Sequence, residues 1–375
     1  MLYFFCLTVV VIVLVYEYRH IVRARKAIPL RIHVHGTRGK TSCVRLIAKE
    51  LRESGLRVLA KTTGDAPEII YPDATVKPFP RRGPARITEH IKMLLLAEEL
   101  GVDALVLEGM ALQPETVAFS ERMIQATHFV VVNVRADHAE TMGSGFEGVT
   151  ETLAEALPKK GTLYVSDEKT ERLQEIATSC GIPIRVVSCN PLTESQEIAY
   201  ALTDDILSSH GKARRKREIE KLQIIPVRFS FFSTTFLFFD FFSANDVTSA
   251  KLLFKESSTQ MENTLRVALL STRSDRPLRT FDFLRSLSKN SSFEIICFAG
   301  SHTGFARLFV FFSSSLRKKS LFYESSPEKL LPKLINLAKQ EGYETISFTA
   351  LGNAHGAGEL WREYISNLRS ANHAH

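Results

Sequence analysis

The feature that most limits what this chain can fold into is a short apolar run, 30–35 (LRIHVH). It leads directly into Gly36-Thr37-Arg38-Gly39-Lys40-Thr41-Ser42, and a segment with helical spacing covers 40–54. A strand that turns through glycines into a helix is the opening of a βαβ unit, which needs a parallel neighbour strand reached by a crossover. The same turn has a chemical consequence. Its backbone N–H groups and the positive end of the helix dipole point beyond the strand, forming a cradle for phosphate. Lys40 is placed to neutralise β- and γ-phosphate charge, and the Thr41 hydroxyl to ligate Mg²⁺. Only two residues separate Gly36 from Gly39, so the loop departs from the GxxxxGK[ST] spacing. Its strand–loop–helix setting favours nucleotide binding over coincidence, and ATP and Mg²⁺ are the expected ligands.

The alternation continues along the chain. Runs at 103–108, 127–134, 162–166 and 184–188 read as buried strands, and 86–100, 114–126, 147–157 and 168–180 carry helical spacing. The fold class that follows is α/β: a P-loop-type parallel sheet wrapped by helices. Residues 190–225 read as a polar connector ending in the basic run Lys212-Ala213-Arg214-Arg215-Lys216-Arg217. Such a run is ordinarily a solvated face; its functional reading is contact with anionic lipid or an acidic polymer. A Phe-rich stretch at 226–242 then reads as one or two buried strands. Strands at 264–272, 293–300 and 343–351, with helices near 277–290 and 327–341, make a second, smaller, Rossmann-like α/β domain. The expected divisions are a segment over 1–22, a central ATP-binding domain over 28–205 and a C-terminal domain over 226–375.

The N-terminal segment is apolar from Met1 to Tyr16, followed by Arg19, His20, Arg23, Arg25 and Lys26. A cleaved signal peptide carries its charges before the apolar run and a small-residue site after it; neither holds here. The run is short against the roughly 17–25 residues of a spanning helix, but Ile21, Val22 and snorkelling arginines extend it. The expectation is a single-pass membrane anchor with everything after Arg19 in the cytoplasm, by the positive-inside rule. Five scattered cysteines without CxxC spacing argue against a disulfide framework or a zinc site. A formal charge of +7 suits an acidic partner.

Further candidates stand at strand ends. Glu108 closes the 103–108 run, where a carboxylate at the C-terminal edge of a parallel sheet is a hard oxygen ligand for Mg²⁺. The alternative is an acid capping a helix. Asn133 closes 127–134, with Asp137, His138 and Gly143 beyond it. In the second half, Ser243-Ala244-Asn245-Asp246, Arg273-Ser274-Asp275-Arg276 and Gly352-Asn353-Ala354-His355-Gly356 all follow strands. Taken jointly they predict one wall of a cleft between the domains.

Seven segments occur in a set order: GTRGKTS (36–42), KTTGDAPEIIYPD (61–73), EGMALQPE (108–115), VVNVRADHAETMG (131–143), FSANDVTSA (242–250), STRSDRPLRT (271–280) and GNAHGAGE (352–359). Together they closely resemble the PgsB/CapB family of poly-γ-glutamate synthase catalytic subunits, which looks like a branch of the Mur ligases. The resemblance implies an amide ligase: ATP phosphorylates a γ-carboxylate, and the amine of an incoming glutamate attacks the acyl phosphate. It implies that Lys40 and Thr41 hold phosphates and metal, with Glu108 and His138 as further Mg²⁺ ligands. Asn245 and Asp246 would match the C-terminal domain's nucleotide contact. Arg273 and Arg276 would meet substrate carboxylates or the transferred phosphate, for which Arg suits bidentate contact. Expected partners are glutamate and poly-γ-glutamate, the membrane, and integral-membrane and export subunits of a synthase; nucleic acid is not among them. Peptidoglycan ligases place a nucleotide-sugar domain before the phosphate loop; with about thirty residues ahead of Gly36 such a domain is not expected, and a simple amino acid or its polymer is the expected substrate.

Two other classes compete. A membrane-tethered ATPase acting on another carboxylate, or driving motion, would usually carry a full GxxxxGK[ST] loop. A membrane-tethered polyanion-binding protein would explain the basic run and net charge but not the phosphate cradle.

Overall fold

Whether a strand entering a glycine turn becomes the centre of a sheet depends on its neighbours, and here both are parallel. The structure, a computed structural model, describes residues 1–63, 66–81, 83, 85–110, 114–135, 145–212, 217–219, 224–242, 244, 246–289 and 292–372. The chain divides into two units, residues 1–221 and 222–375.

The first unit opens with α1 (Leu2–Ala27), 26 residues long. Its side chains are exposed from Tyr3 to Arg19. Ile21, Ala24 and the following Ile28 are buried with Met93, Leu94 and Ala97. The stretch Tyr3–Ala27 is long and apolar enough to cross a membrane. There follow β1 (Leu30–His35), α2 (Lys40–Glu53), β2 (Val58–Lys61), β3 (Glu68–Ile70), β4 (Val76–Pro78), α3 (Thr88–Glu99) and β5 (Ala104–Glu108). Next come α4 (Pro114–Ile124), β6 (His128–Val131), α5 (Gly145–Ala154), β7 (Thr162–Ser166), α6 (Glu171–Ser179), β8 (Ile184–Val187) and α7 (Glu194–Ser209). The strands form one sheet in the order β4-β3-β2-β5-β1-β6-β7-β8. β1 pairs in parallel with β5 and β6, and β2 pairs in parallel with β5. The C-terminal ends of β1, β2, β5 and β6 therefore open on one edge, the position at which parallel sheets bind ligands.

The two faces of β1 differ. Ile32 and Val34 join Val44, Ile47, Leu51, Ile198 and Leu202 in an apolar core. His33 and His35 point the other way and are fully buried. The first part of the stretch 190–225 is a core element and not a connector. It contains α7, whose Ile198, Ala199, Leu202 and Ile206 recur at helical spacing and are buried. That stripe is masked in the sequence by the intervening Glu, Thr and Asp residues. Two members of the basic run tie this helix down. Arg217 pairs with Glu50 at 2.6 Å and Asp204 at 2.5 Å, and Lys212 Nζ donates to the Ser54 carbonyl at 2.6 Å.

The second unit comprises β9 (Val227–Phe231), β10 (Thr234–Asp240), α8 (Val247–Ser257), β11 (Leu265–Thr272), α9 (Pro277–Lys289) and β12 (Ile295–Gly300). It continues with α10 (Thr303–Phe312), β13 (Ser320–Tyr323), α11 (Pro327–Gln340), β14 (Thr345–Gly352) and α12 (Ala357–Asn372). Its sheet runs β13-β12-β11-β14-β10-β9, with β9–β10 the antiparallel pair. The Phe-rich stretch is this hairpin. Phe229 and Phe236 stack at 5.0 Å, and the turn passes through Phe232 and Ser233 at φ 46 and 61. Positive φ at both turn positions matches the twist of the flanking strands. Trp361 of α12 is fully buried beside Phe348.

Because α7 is part of the first unit's core, Leu202→Ala is expected to lower that unit's unfolding free energy by about 2–5 kcal/mol. Denaturant unfolding checks this, and a surface-like change below about 0.5 kcal/mol would contradict the packing.

Candidate active site

The loop after β1 is possible because two of its residues lack a side chain. Gly36 and Gly39 sit at φ +123 and +76, and a Cβ on Gly36 would stand 3.0 Å from the backbone nitrogens of Val132 and Asn133. The loop therefore passes flush against the segment leaving β6. Thr37 N–H donates to the Asn133 carbonyl at 3.1 Å, and Arg135 N–H donates to the Thr37 hydroxyl at 2.9 Å. The Asn133 carboxamide spans the gap. Its Oδ1 accepts the Arg38 N–H at 2.9 Å, while its Nδ2 donates to the Arg38 carbonyl at 3.2 Å and to Glu194 Oε2 at 2.6 Å. Arg135 also donates to Glu194 Oε2, at 2.7 Å. Lys40 Nζ donates to the Gly36 carbonyl at 2.9 Å, folding over the loop. Ser42 is exposed in the first turn of α2.

Glu108, buried at the end of β5, faces the same loop. Its carboxylate accepts the Thr63 N–H at 2.8 Å and the Thr41 hydroxyl at 2.9 and 3.1 Å. A hydroxyl and a carboxylate converging beside a phosphate cradle are the hard oxygen donors Mg²⁺ takes, usually with phosphate and water completing the shell. Among the described residues there is no group of three or more His, Cys, Asp or Glu side chains able to hold a metal. His138 and Asn245 lie outside the described residues. Lys61, buried at the end of β2, pairs with Glu89 at 2.8 Å. Burial lowers the Lys61 pKa. Burial alone would raise Glu89, but Arg81 and Lys61 hold its carboxyl below the ordinary range.

Behind Glu108 the sheet face carries a buried polar chain. Glu121 Oε2 lies 2.8 Å from His33 Nδ1, and His33 Nε2 lies 2.9 Å from His35 Nε2. His90 Nδ1 is 2.6 Å from the Ser120 hydroxyl, and its Nε2 is 3.2 Å from the Glu108 carbonyl. Burial lowers His33 to about 3, drives His35 and His90 well below their ordinary value, and raises Glu121 to about 8. At neutral pH the cluster is thus uncharged: protonated Glu121 donates to His33, and His33 donates to His35. A Cβ on Gly109 would fall 2.4 Å from the His35 ring, so this imidazole sets how closely the end of β5 approaches β1.

The structure brings Gly36, Thr37, Arg38, Gly39, Lys40, Thr41, Ser42 and Glu108 together in the first unit. Asp246, Arg273 and Arg276 belong to the second. There Asp246 caps α8, accepting the Ser249 N–H at 2.8 Å. Arg273 is held by Asp275 through bonds of 2.8 and 2.6 Å, and Arg276 stands just before α9. Reading the sequence missed Arg135 and Glu194 as the loop's supports and His33, His35 and Glu121 as a buried set. The detectable signal for the last was two histidines at alternate positions of an otherwise apolar strand.

Residues 227–368 match the family model of the poly-gamma-glutamate synthase CapB C-terminal domain. The chain is 27% identical over 322 residues to the capsule biosynthesis protein CapB of Bacillus anthracis, covering 80% of this chain and 69% of that protein. It is 31% identical over 194 residues to the PGA synthase CapB of Bacillus subtilis (strain 168), covering 50% of this chain and 49% of that one. Among solved structures, MurF from Acinetobacter baumannii superposes with a TM-score of 0.58 at 15% identity, over 92% of this chain and 79% of its own. E. coli FolC in complex with ADP superposes with a TM-score of 0.57 at 17% identity, over 93% and 92%. These superpositions share the fold of both units.

The polar cluster has a pH signature. Glu121 keeps its proton up to about pH 8 in the native state against an ordinary 4.5, so the native chain binds the extra proton across that window and its contribution to stability falls as pH rises. The histidines act in the opposite sense, losing stability as pH drops below their ordinary 6.5. Glu121→Gln keeps the neutral shape and is expected to remove the fall in unfolding free energy between about pH 4.5 and 8, leaving the loss the histidines cause below pH 4.5. Parallel curves for the two proteins would contradict a protonated Glu121.

Proposed function

We propose that this chain is a CapB-type member of the Mur ligase superfamily, an ATP-dependent amide ligase that joins glutamate units through their γ-carboxyl groups and so builds poly-γ-glutamate. The observation that carries this reading is the convergence of the Gly36–Ser42 loop, the Thr41 hydroxyl and the Glu108 carboxylate on one edge of a parallel sheet. The names of the two Bacillus relatives, for capsule biosynthesis and PGA synthase, support the substrate class. Folylpolyglutamate synthase of Mycobacterium tuberculosis, complexed with ADP and AMPPCP, shares the fold with a TM-score of 0.57 at 14% identity and supports the nucleotide.

In this reading the N–H groups at the start of α2, with Lys40, grip the β- and γ-phosphates. Lys40 leaves the Gly36 carbonyl to do so. Thr41, Glu108 and His138 would hold Mg²⁺, which offsets charge on the phosphate oxygens. A γ-carboxylate oxygen of one glutamate attacks the γ-phosphorus, the bond to the bridging oxygen breaks, and ADP leaves. The amine of the next glutamate then attacks the acyl carbon, losing a proton as phosphate departs. The protein's contribution is positioning and charge neutralisation, the main levers in phosphoryl transfer. Residues 28–205 form the ATP-binding domain in this account, and 226–375 the C-terminal domain. Arg273 and Arg276 are assigned to substrate carboxylates or transferred phosphate, and Asn245 and Asp246 to the nucleotide. α1 serves as a single-pass anchor with the catalytic part cytoplasmic, and membrane and export subunits of a synthase are the partners this context calls for.

Lys40→Ala is expected to lower ATP turnover by about 10²–10³-fold or more while the circular dichroism spectrum stays native. With glutamate present the nucleotide product should be ADP, and hydroxylamine in place of the acceptor amine should yield a glutamyl hydroxamate. Turnover indifferent to glutamate, with AMP as product and no hydroxamate, would defeat the ligase reading.

A further inference from the structure

Helix α10 is apolar on both sides. Ala306 and Val310 are buried under the sheet of the second unit. On the opposite side Leu308, Phe311 and Phe312, at i, i+3 and i+4, are 57%, 67% and 76% exposed. A helix that is hydrophobic all round is ordinarily covered all round. The neighbouring α9 extends the surface: Leu278 and Phe281 are exposed, and the Phe281 ring meets Phe309 edge-on at 5.6 Å. The two helix ends are joined where the Ser315 hydroxyl donates to the Ser288 carbonyl at 2.6 Å. Around that junction stand Arg285, Lys289, Arg317 and Lys318, all exposed. Asp282 of α9 is exposed as well.

We propose that this face of the second unit docks on the surface of an anionic bilayer, with Phe311 and Phe312 entering the acyl boundary and the basic side chains meeting lipid headgroups. Exposed aromatic and aliphatic side chains with a rim of Lys and Arg are the composition of an interfacial membrane contact. A hydrated polyanion would draw on the charges and leave the phenylalanines unused. A second copy docking symmetrically would set one basic rim against another, which disfavours it. The inference rests on the anchor assigned above, because α1 is what holds the chain at a bilayer.

The test places a reporter on the patch. Phe312→Trp in the full chain, against the fully buried native Trp361, is read in vesicles of phosphatidylcholine alone and with phosphatidylglycerol, both brominated in the acyl chains. The expected result is a blue-shifted emission quenched in the anionic vesicles. Arg317→Glu with Lys318→Glu should abolish the quenching while flotation with vesicles through α1 persists. In a second arm residues 2–18 are deleted, a stretch whose side chains from Tyr3 onward are exposed. The shortened chain should still bind anionic vesicles in a salt-sensitive way, and Phe311→Ser with Phe312→Ser should weaken that binding by about tenfold or more. A full chain that fails to float defeats the anchor, while the shortened chain still decides the patch. Emission at residue 312 that stays solvent-like in both vesicle types overturns the proposal. A blue shift that grows with protein concentration without lipid also overturns it, assigning the face to contact between copies.

Discussion

The loop-bearing edge of the first unit's sheet depends on one carboxamide. A loop that must present its N–H groups to a ligand gives up the ladder bonds that would hold it, so another part of the protein has to fix it. Asn133 does this by pairing with both the N–H and the carbonyl of Arg38, as a neighbouring strand would. Its own orientation is set by the buried Glu194 in the first turn of α7, which Arg135 also engages. An acid there is favoured by the helix dipole as well. Loop, sheet edge and α7 therefore stand or fall together, and α7 supports the loop although it contributes nothing to the loop's motif.

The second constraint is the cost of polarity in a core. His33, His35, His90 and Glu121 are buried on the face of β1 opposite its apolar core. Such a network is tolerable only when its members satisfy one another. The uncharged chain from Glu121 through His33 to His35 meets that condition. Its position, with His35 against Gly109 and His90 on the Glu108 carbonyl, ties the acid that faces the loop to the strand that carries it.

Much of this was legible in the sequence because it rested on local signals. The β1 run, the glycine turn and Lys40-Thr41 announce themselves by spacing, and Glu108 by standing last in an apolar run. The strands at 104–108, 162–166 and 265–272 were readable as continuous apolar segments. What was not legible depended on distant partners or on elements too short to show a period. Strands β2, β3, β4 and β13 span four, three, three and four residues. Helix α7 hid its apolar stripe among polar residues, so its segment read as a connector. Asp246 caps α8, a local role that sequence pattern cannot tell from a ligand contact.

The proposed ligase requires a substrate carboxylate to attack the γ-phosphorus of ATP at this edge, so that one carboxylate oxygen ends in the released phosphate. Glutamate labelled with oxygen-18 in its γ-carboxyl group follows that atom. Turnover in membranes carrying the protein, with the phosphate analysed by mass spectrometry or phosphorus NMR, should show one labelled oxygen per phosphate released on amide formation. Phosphate free of label, with its new oxygen drawn from water while amide bonds form, would contradict the account.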